Sequence, residues 1–441
     1  MRRIARVLGV AGVVLALAGC WAVPGQNANR TAHNAFETEL TPATVAELTE
    51  AWVSEELIPL VASDPVVSSS GVVVEIGGCV TLTLEPTDGS LVWLAPPPPS
   101  DCGEWPGPGV VVARADSGPF VVADRVLTSG YTIVDFNAPR PPDYGIFGGV
   151  SHRDVATGDD LPDTTGPGML LAAVRDDIAV ATTYRVAWTV PQPGFPSIQR
   201  IVRETVVGSI TDPAARRTVS VVGTETATLG PDAFYASGSG TLSTTPGDGA
   251  PDGQALRAYS ESEPRPGCGT GGTKECPLWA TPIDGTAPPA VIDADLDGTT
   301  VFVGTSAGSV YSIDAATGAV LWTASVGARV TASPALAGGV LYVPTADGRL
   351  VAVDTAVGTV LWEASTGSGI TEQPAVAGGV VYTSSAGGSL DAFAAAGCGD
   401  TTCTALWSAE TGRSITGAPA VSGGRLYVGT DDGRVIAYAL P

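Results

Sequence analysis

The sequence predicts an all-β chain, a β-propeller of four-stranded blades, eight in number with seven as the alternative. Three observations predict it. A unit of about forty residues recurs, and Trp322 and Trp362 stand 40 residues apart in it. Each copy breaks into short alternating apolar runs separated by Gly-Gly, Asp-Gly and Asp-x-x-Thr-Gly turns. Nothing in this part of the chain sustains a helical period. Four-strand units at this spacing are the signature of propeller blades.

The clearest copy spans 330–367. Pro334-Ala335-Leu336 opens its first strand, and Gly338-Gly339 turns into Leu341-Tyr342-Val343. Asp347-Gly348 leads to the third strand, because left-handed backbone angles favour Gly and tolerate Asp. A turn from Asp354 to Gly358 then leads to a fourth strand carrying Leu361-Trp362. Related copies occupy 286–327, 370–412 and 415–441, and weaker ones 63–96 and 226–283. Two degenerate copies fill 107–164 and 168–223, which keeps seven blades open. The last copy stops after its third strand at Pro441. The run 48–54, with Trp52, reads as an orphan fourth strand that completes this blade and closes the ring. The expected division is therefore a signal over 1–19, a lipid-anchored leader over 20–47 and the propeller over 48–441.

The signal rests on Arg2, Arg3 and Arg6, then an apolar run from Val7 to Ala18, then Leu17-Ala18-Gly19-Cys20. The last four residues resemble a bacterial lipobox, which implies cleavage before Cys20 and a lipid on its thiol. The chain is then expected on the outer face of the cell membrane, held there by the anchor alone. Six further cysteines remain: Cys79, Cys102, Cys268, Cys276, Cys398 and Cys403. An even number in an exported chain reads as three disulfides, and proximity favours 79–102, 268–276 and 398–403 among 15 connectivities.

Charge limits the partners. The formal net charge of −23 becomes −26 when three arginines leave with the signal. Phosphate neutralisation by so acidic a chain is excluded as a basis for nucleic-acid binding. A basic patch for anionic headgroups is equally hard to assemble from the 19 cations left.

The motif Ser312-x-Asp314-x-x-Thr317-Gly318-x-x-x-Trp322 resembles the tryptophan-docking repeat of the quinoproteins, and Ala352-x-Asp354-x-x-Val357-Gly358-x-x-x-Trp362 matches it with Val for Thr. The segment with Asn34-x-x-Glu37 and Leu40-Thr41-Pro42 is similar to leaders that precede such propellers. The resemblance implies that Trp93, Trp279, Trp322, Trp362 and Trp407 pack each blade against its neighbour, a structural role suited to a large ring with one N–H to satisfy. Enzymatic members bind pyrroloquinoline quinone (PQQ) with calcium. Non-enzymatic members, such as the outer-membrane assembly lipoprotein, share the propeller without the cofactor. The adjacent-cysteine disulfide of the alcohol dehydrogenases has no counterpart here, nor is a matching Glu, Asn and Asp set recognisable.

Other chemistry is thinly supported. Asp293-Ala294-Asp295-Leu296-Asp297-Gly298 resembles the opening of a calcium loop, but Gly304 stands where the twelfth-position Glu would be. It reads as an acidic turn. His33 and His152 have no nucleophile motif nearby and read as solvated. The expected function is a non-catalytic binding or scaffolding propeller, without cofactor, for a protein or cell-envelope partner. A PQQ-dependent oxidoreductase and an extracellular carbohydrate-active enzyme are the alternatives.

Overall fold

The computed structural model describes residues 32–56, 62–77, 80–95, 111–114, 119–122, 125–133, 146–161, 169–175, 177–192, 195–219, 227–240, 253–263, 265–268, 274–293 and 299–441. They form a β-propeller of eight four-stranded blades, so the two degenerate repeats are blades in their own right. The blades run from Val66–Ser68 to Leu91–Ala95 (blade 1), through blade 2 with Val111–Arg114, Phe120–Val122, Arg125–Ile133 and Ile146–Asp154, to Met169–Arg175 through Arg217–Val219 (blade 3). Blade 4 runs from Ala227–Leu229 to Trp279–Pro282, blade 5 from Val291–Ile292 to Val320–Ser325, and blade 6 from Ala335–Ala337 to Val360–Ser365. Blade 7 runs from Ala375–Ala377 to Trp407–Glu410.

Blade 8 takes Ala420–Ser422, Arg425–Gly429 and Val435–Ala439 from the end of the chain and its fourth strand, Thr49–Val53, from the beginning. Thr49 pairs with Ala439 and Val53 with Ile436, antiparallel. The closure expected of 48–54 is therefore how the ring is joined. It leaves no open third strand in the last blade, where unpaired N–H and C=O groups would otherwise face solvent.

Local sequence explains the blades. In blades 6, 7 and 8 both glycines of each Gly-Gly turn, for example Gly338 and Gly339, have positive φ (56° and 76°), the geometry a two-residue hairpin needs. The Asp-x-x-Thr-Gly turn is held by its own side chain: Asp314 Oδ1 accepts hydrogen bonds from Thr317 N (2.8 Å) and Thr317 Oγ1 (2.7 Å). These bonds hold the Asp314 carboxyl below the usual carboxylate range. Strand faces toward neighbouring blades are apolar and buried, so the core is a series of layers between sheets rather than one central mass.

Two faces follow from the topology. On one lie the turns between first and second strands together with the Asp-x-x-Thr-Gly turns; Thr355 N donates to Gly339 O between them (3.0 Å). On the other lie the turns between second and third strands and the connections from blade to blade, joined for example by Ala346 N to Arg329 O (2.9 Å). These are called the docking face and the loop face below.

Candidate functional site

The first strands of neighbouring blades approach one another around the axis, including those of blades 8 and 1, and they are almost entirely buried. The leader reaches the axis too. His33–Asn34 adds to blade 7 inside its first strand, parallel to it, with His33 opposite Val376 and Asn34 opposite Ala377. Asn34 Nδ2 donates to Val421 O of blade 8 (2.9 Å), so one side chain ties two blades. The Glu37 carboxylate, 6% exposed, accepts from Glu39 N, Leu40 N and Gly424 N at 2.8, 3.1 and 3.0 Å. Leu40 is fully buried and its carbonyl presses on Gly378, where a Cβ would meet it at 1.9 Å. Only glycine fits there. The Asn, Glu and Leu of the leader thus seat it on blades 7 and 8, and it crosses the ring from the loop face toward the docking face.

The tryptophans hold the blades. Trp93, Trp279 and Trp322 each donate their indole N–H to a carbonyl in the next blade's turn: Val155 (3.0 Å), Ala315 (2.8 Å) and Thr355 (2.8 Å). Trp407 donates to Leu48 O (2.9 Å). The rings lie against the turn glycine. A Cβ on Gly358 would stand 2.6 Å from Trp322, and Trp362 leaves 2.7 Å at Gly397 in the same way. Trp52 does the same from the closing strand, donating to Pro86 O (2.9 Å) and lying against Gly89. Trp52 stands outside the docking motif because its strand is separated from its blade by the whole chain, and a tryptophan in an orphan fourth strand is its signal in the sequence.

Blade 3 has no such tryptophan. Arg217 occupies the place, paired across from Val207, and donates to Ser260 O of blade 4. Arg175 reinforces the junction through Gly230 O and Glu261. A planar cation thereby makes the hydrogen bond that an indole makes elsewhere.

Cys398 and Cys403 form a disulfide. Their loop does not stand free: Thr402–Cys403 adds a short parallel strand to the outer edge of blade 6, and Glu363 N donates to Thr401 O (2.8 Å). Cys276 is disulfide-bonded, beside the hairpin formed by Pro266–Cys268 and Lys274–Glu275. Cys20, Cys79 and Cys102 lie outside the described residues.

The expectation for His152 is corrected. It lies in the third strand of blade 2 opposite Leu127 and is only 2% exposed, because the strand places it inside the sheet packing rather than beside a turn. His33 belongs to the axial strand. Of the acidic loop, Asp293 is buried and follows the first strand of blade 5, while Asp295 and Asp297 lie outside the described residues. Among the described residues no three His, Cys, Asp or Glu side chains gather in a metal-ligating group.

The two faces differ in how much they vary. On the loop face, blades 5 to 8 have tight turns such as Thr305–Gly308 and Thr345–Gly348, closed by a hydrogen bond from glycine N to threonine O. Charged groups crowd there. Arg413 and Arg434 converge on Asp432 at 2.7 and 3.2 Å, and Arg434 also reaches Glu56 at 2.7 Å. Burial opposes ionisation of Asp432, but hydrogen bonds from Thr430 and Arg413 and both guanidinium charges outweigh it and hold the carboxyl below its usual range. Blades 2 to 4 are longer in sequence on this face. Residues 134–145 and 241–252 separate the paired strands of blades 2 and 4. In blade 3 the strands Ile178–Gln192 and Phe195–Ser209 are 15 residues each, against 5 and 6 in blade 6. The degenerate repeats are therefore degenerate because this face has been rebuilt. It is the candidate interaction surface.

The profile of the family described as outer membrane protein assembly factor BamB, a PQQ-repeat family, matches residues 277–400. No curated protein matches the chain. Among solved structures, the fold is similar to the quinohemoprotein alcohol dehydrogenase of Comamonas testosteroni, at a TM-score of 0.66 and 14% identity, over 97% of this chain and 82% of that one. It is similar to a europium-containing methanol dehydrogenase (TM-score 0.62, 14% identity, 96% and 98% covered). It is also similar to BamB of Moraxella catarrhalis (TM-score 0.51, 15% identity, 89% and 97% covered). Likeness at these identities shows the fold, a β-propeller, and over 277–400 the chain resembles the PQQ-repeat family described as BamB. Both dehydrogenases and an assembly factor share that fold, so function rests on the site.

Proposed function

We propose that this protein is an exported, lipid-anchored, non-catalytic propeller that binds a protein or other cell-envelope component through its loop face. The leader is the observation that carries this reading. It seats the segment that follows Cys20 in the sequence on blades 7 and 8 through Asn34, Glu37 and Leu40. An anchor joined this way restrains the whole ring.

The proposed reading assigns the protein neither PQQ nor calcium. A planar cofactor at the centre of the ring needs axial space and a set of oxygen ligands for its cation. The leader strand His33–Asn34 lies inside the first strand of blade 7, and Leu40 presses on that blade's Gly-Gly turn. No metal-ligating group of three stands among the described residues. Catalysis through that cofactor is the rival reading, which the assay below tests.

Two experiments test it. In cells, Cys20→Ala is expected to leave the chain unlipidated and move it from the membrane fraction to soluble or unprocessed forms; an unchanged mature mass would sink the anchor. Purified protein incubated with PQQ and calcium is expected to reduce no dye with alcohols or sugars. Saturable cofactor binding with substrate-dependent turnover would overturn the non-catalytic reading in favour of an oxidoreductase, and specific retention on a glycan array would favour a carbohydrate-active protein.

A further inference from the structure

We propose that the outer edge of blade 5 receives an extended segment of a partner polypeptide as a fifth strand, a binding surface separate from the loop face. The fold contains its own example. Blade 6 ends in Val360–Ser365, and Thr402–Cys403 lies on that edge as an added parallel strand, with Thr402 opposite Glu363 and Cys403 opposite Ala364. Glu363 N donates outward to Thr401 O (2.8 Å). Blade 5 ends in Val320–Ser325, built to the same register: Thr323 stands opposite Tyr311 as Glu363 stands opposite Val351. The Thr323 N–H therefore points outward as well. Yet Val320–Ser325 is the last strand of its sheet among the described residues. The segment lying on blade 6 comes from the insertion between the third and fourth strands of blade 7. Blade 6 has no such insertion to lay on blade 5, because its own third and fourth strands are joined by the short turn from Asp354 to Gly358.

An open edge is normally made unattractive to other strands by a charge or a proline, or is covered. Fourth strands of the other blades follow this rule. Arg217–Val219 of blade 3 carries a guanidinium, and Trp279–Pro282 of blade 4 ends in proline. Trp407–Glu410 of blade 7 ends in a carboxylate, and Thr49–Val53 of blade 8 contains Glu50. Leu91–Ala95 of blade 1 runs into four prolines in the sequence, Pro96 to Pro99, and the edge of blade 6 is covered. Val320–Ser325 has none of these protections. Its sequence Val-Leu-Trp-Thr-Ala-Ser holds no charge and no proline, and Val320 and Leu321 are 46% and 56% exposed.

Charge identifies the occupant as a different chain and not a second copy. Carboxylates stand at both ends of the strand. Asp314 opens the turn that leads into it, and hydrogen bonds from the Thr317 hydroxyl and amide hold its carboxyl below the usual range. At the other end Ser325 pairs with Ser309, whose hydroxyl donates to Asp284. Burial opposes ionisation of Asp284, but hydrogen bonds from Ser309 and Thr305 outweigh it and keep the carboxyl below its usual range. Arg349 reaches this end through Val326 O (2.8 Å), but Asp347 and Glu363 already hold it at 2.9 and 2.7 Å. Antiparallel pairing of two copies would bring Asp284 of each toward Asp314 of the other, between molecules of formal charge −23. A segment with an uncharged, strand-forming middle and basic flanks meets the edge without that repulsion. In such strand addition backbone hydrogen bonds supply affinity and side chains supply selectivity.

The test uses the purified protein and a synthetic peptide of alternating threonine and valine with lysine at both ends. Hydrogen exchange at the Thr323 amide is read with and without the peptide. At a peptide concentration about ten times the dissociation constant, exchange at Thr323 is expected to slow about tenfold. The Glu363 amide should not respond, because Thr401 O already accepts from it. A peptide flanked by glutamate in place of lysine should bind more weakly, and the difference should shrink as salt rises. Thr323→Pro removes the outward donor while the ladder to Ser309–Asp314 stays intact, as edge strands allow. It should weaken the lysine peptide about 10-fold at an unchanged melting temperature. Leu321→Lys puts a charge on the edge without altering the backbone, and should weaken the same peptide even if Thr323→Pro does not fold. Absence of protection at Thr323, or equal binding to Leu321→Lys, overturns the proposal. So does dimerisation that protects Thr323 without peptide as protein concentration rises, which would give the edge to a second copy.

Discussion

At the scale of single residues, the contact between a tryptophan and the next blade's turn glycine is the repeating unit of cohesion. Gly358 needs glycine twice over: its φ is +75°, and a Cβ would stand 2.6 Å from Trp322 Cε3. Gly358→Ala is expected to cost about 1–3 kcal/mol by overpacking, and Trp322→Ala about 3–5 kcal/mol, read as the shift in denaturant midpoint. Trp52→Ala should cost as much as Trp322→Ala, although it stands before every repeat in the sequence. Asp391 is a different kind of residue. It is 9% exposed between blades 6 and 7; burial pushes its carboxyl up, a hydrogen bond from Ser408 works against this, and the Glu410 charge adds to it. The folded protein therefore holds this proton more tightly than the unfolded chain. Stability is lost as pH rises from about 3.9 through the raised value. Asp391→Asn, which still offers Ser408 an acceptor, should raise the melting temperature at neutral pH and leave it unchanged well below that range.

At the scale of elements, outer edges and insertions matter most. The fourth strands leave apolar side chains exposed, with Leu321 at 56% and Leu91 at 48%. Blade 6 covers part of its edge with the disulfide loop of blade 7. Closing so short a loop contributes on the order of 2 kcal/mol. Cys398→Ser with Cys403→Ser should therefore lower stability by about that amount and speed hydrogen exchange at the Glu363 amide, whose acceptor is Thr401 O. Unchanged protection of that amide would mean the loop stays on the edge without its staple. The junction of blades 3 and 4 holds by arginine instead of tryptophan. Arg217→Ala should destabilise it, and Arg217→Trp tests whether an indole can take the position.

At the scale of the whole molecule, stability depends on joining the two ends. Removing 48–53 takes away the fourth strand of blade 8, the acceptor of Trp407 and the ring that docks on Gly89 at one stroke. The expected outcome is a chain that no longer melts cooperatively; a melting curve like that of the intact protein would show that the ring closes without it. Chelator is expected to leave the melting temperature where it is. A large drop would place a cation in the loop that begins at Asp293.

Strand count, turn chemistry and ring closure were legible in the sequence, because they depend on local rules: alternation for strands, glycine for positive φ, a tryptophan at a fixed offset from the turn it fills. Even the closing strand could be found, since a blade missing its last strand and a strand missing its blade are both visible in one dimension. Relations between distant segments were not. That Trp52 docks on Gly89 follows from closure in space. The leader lies on the axis because Asn34 and Glu37 meet blade 8 across some 387 positions of chain. In blades 2 to 4 the repeat was faint for the same reason that makes them interesting: hairpins lengthened on one face interrupt the period that sequence reading relies on. Only the register of blade 3, which sets Tyr184 opposite Arg203 and Trp188 opposite Arg200, brings Arg185, Arg200 and Arg203 into one hairpin of an acidic protein. Net charge is a sum over the chain, whereas a binding surface depends on where the fold puts each charge.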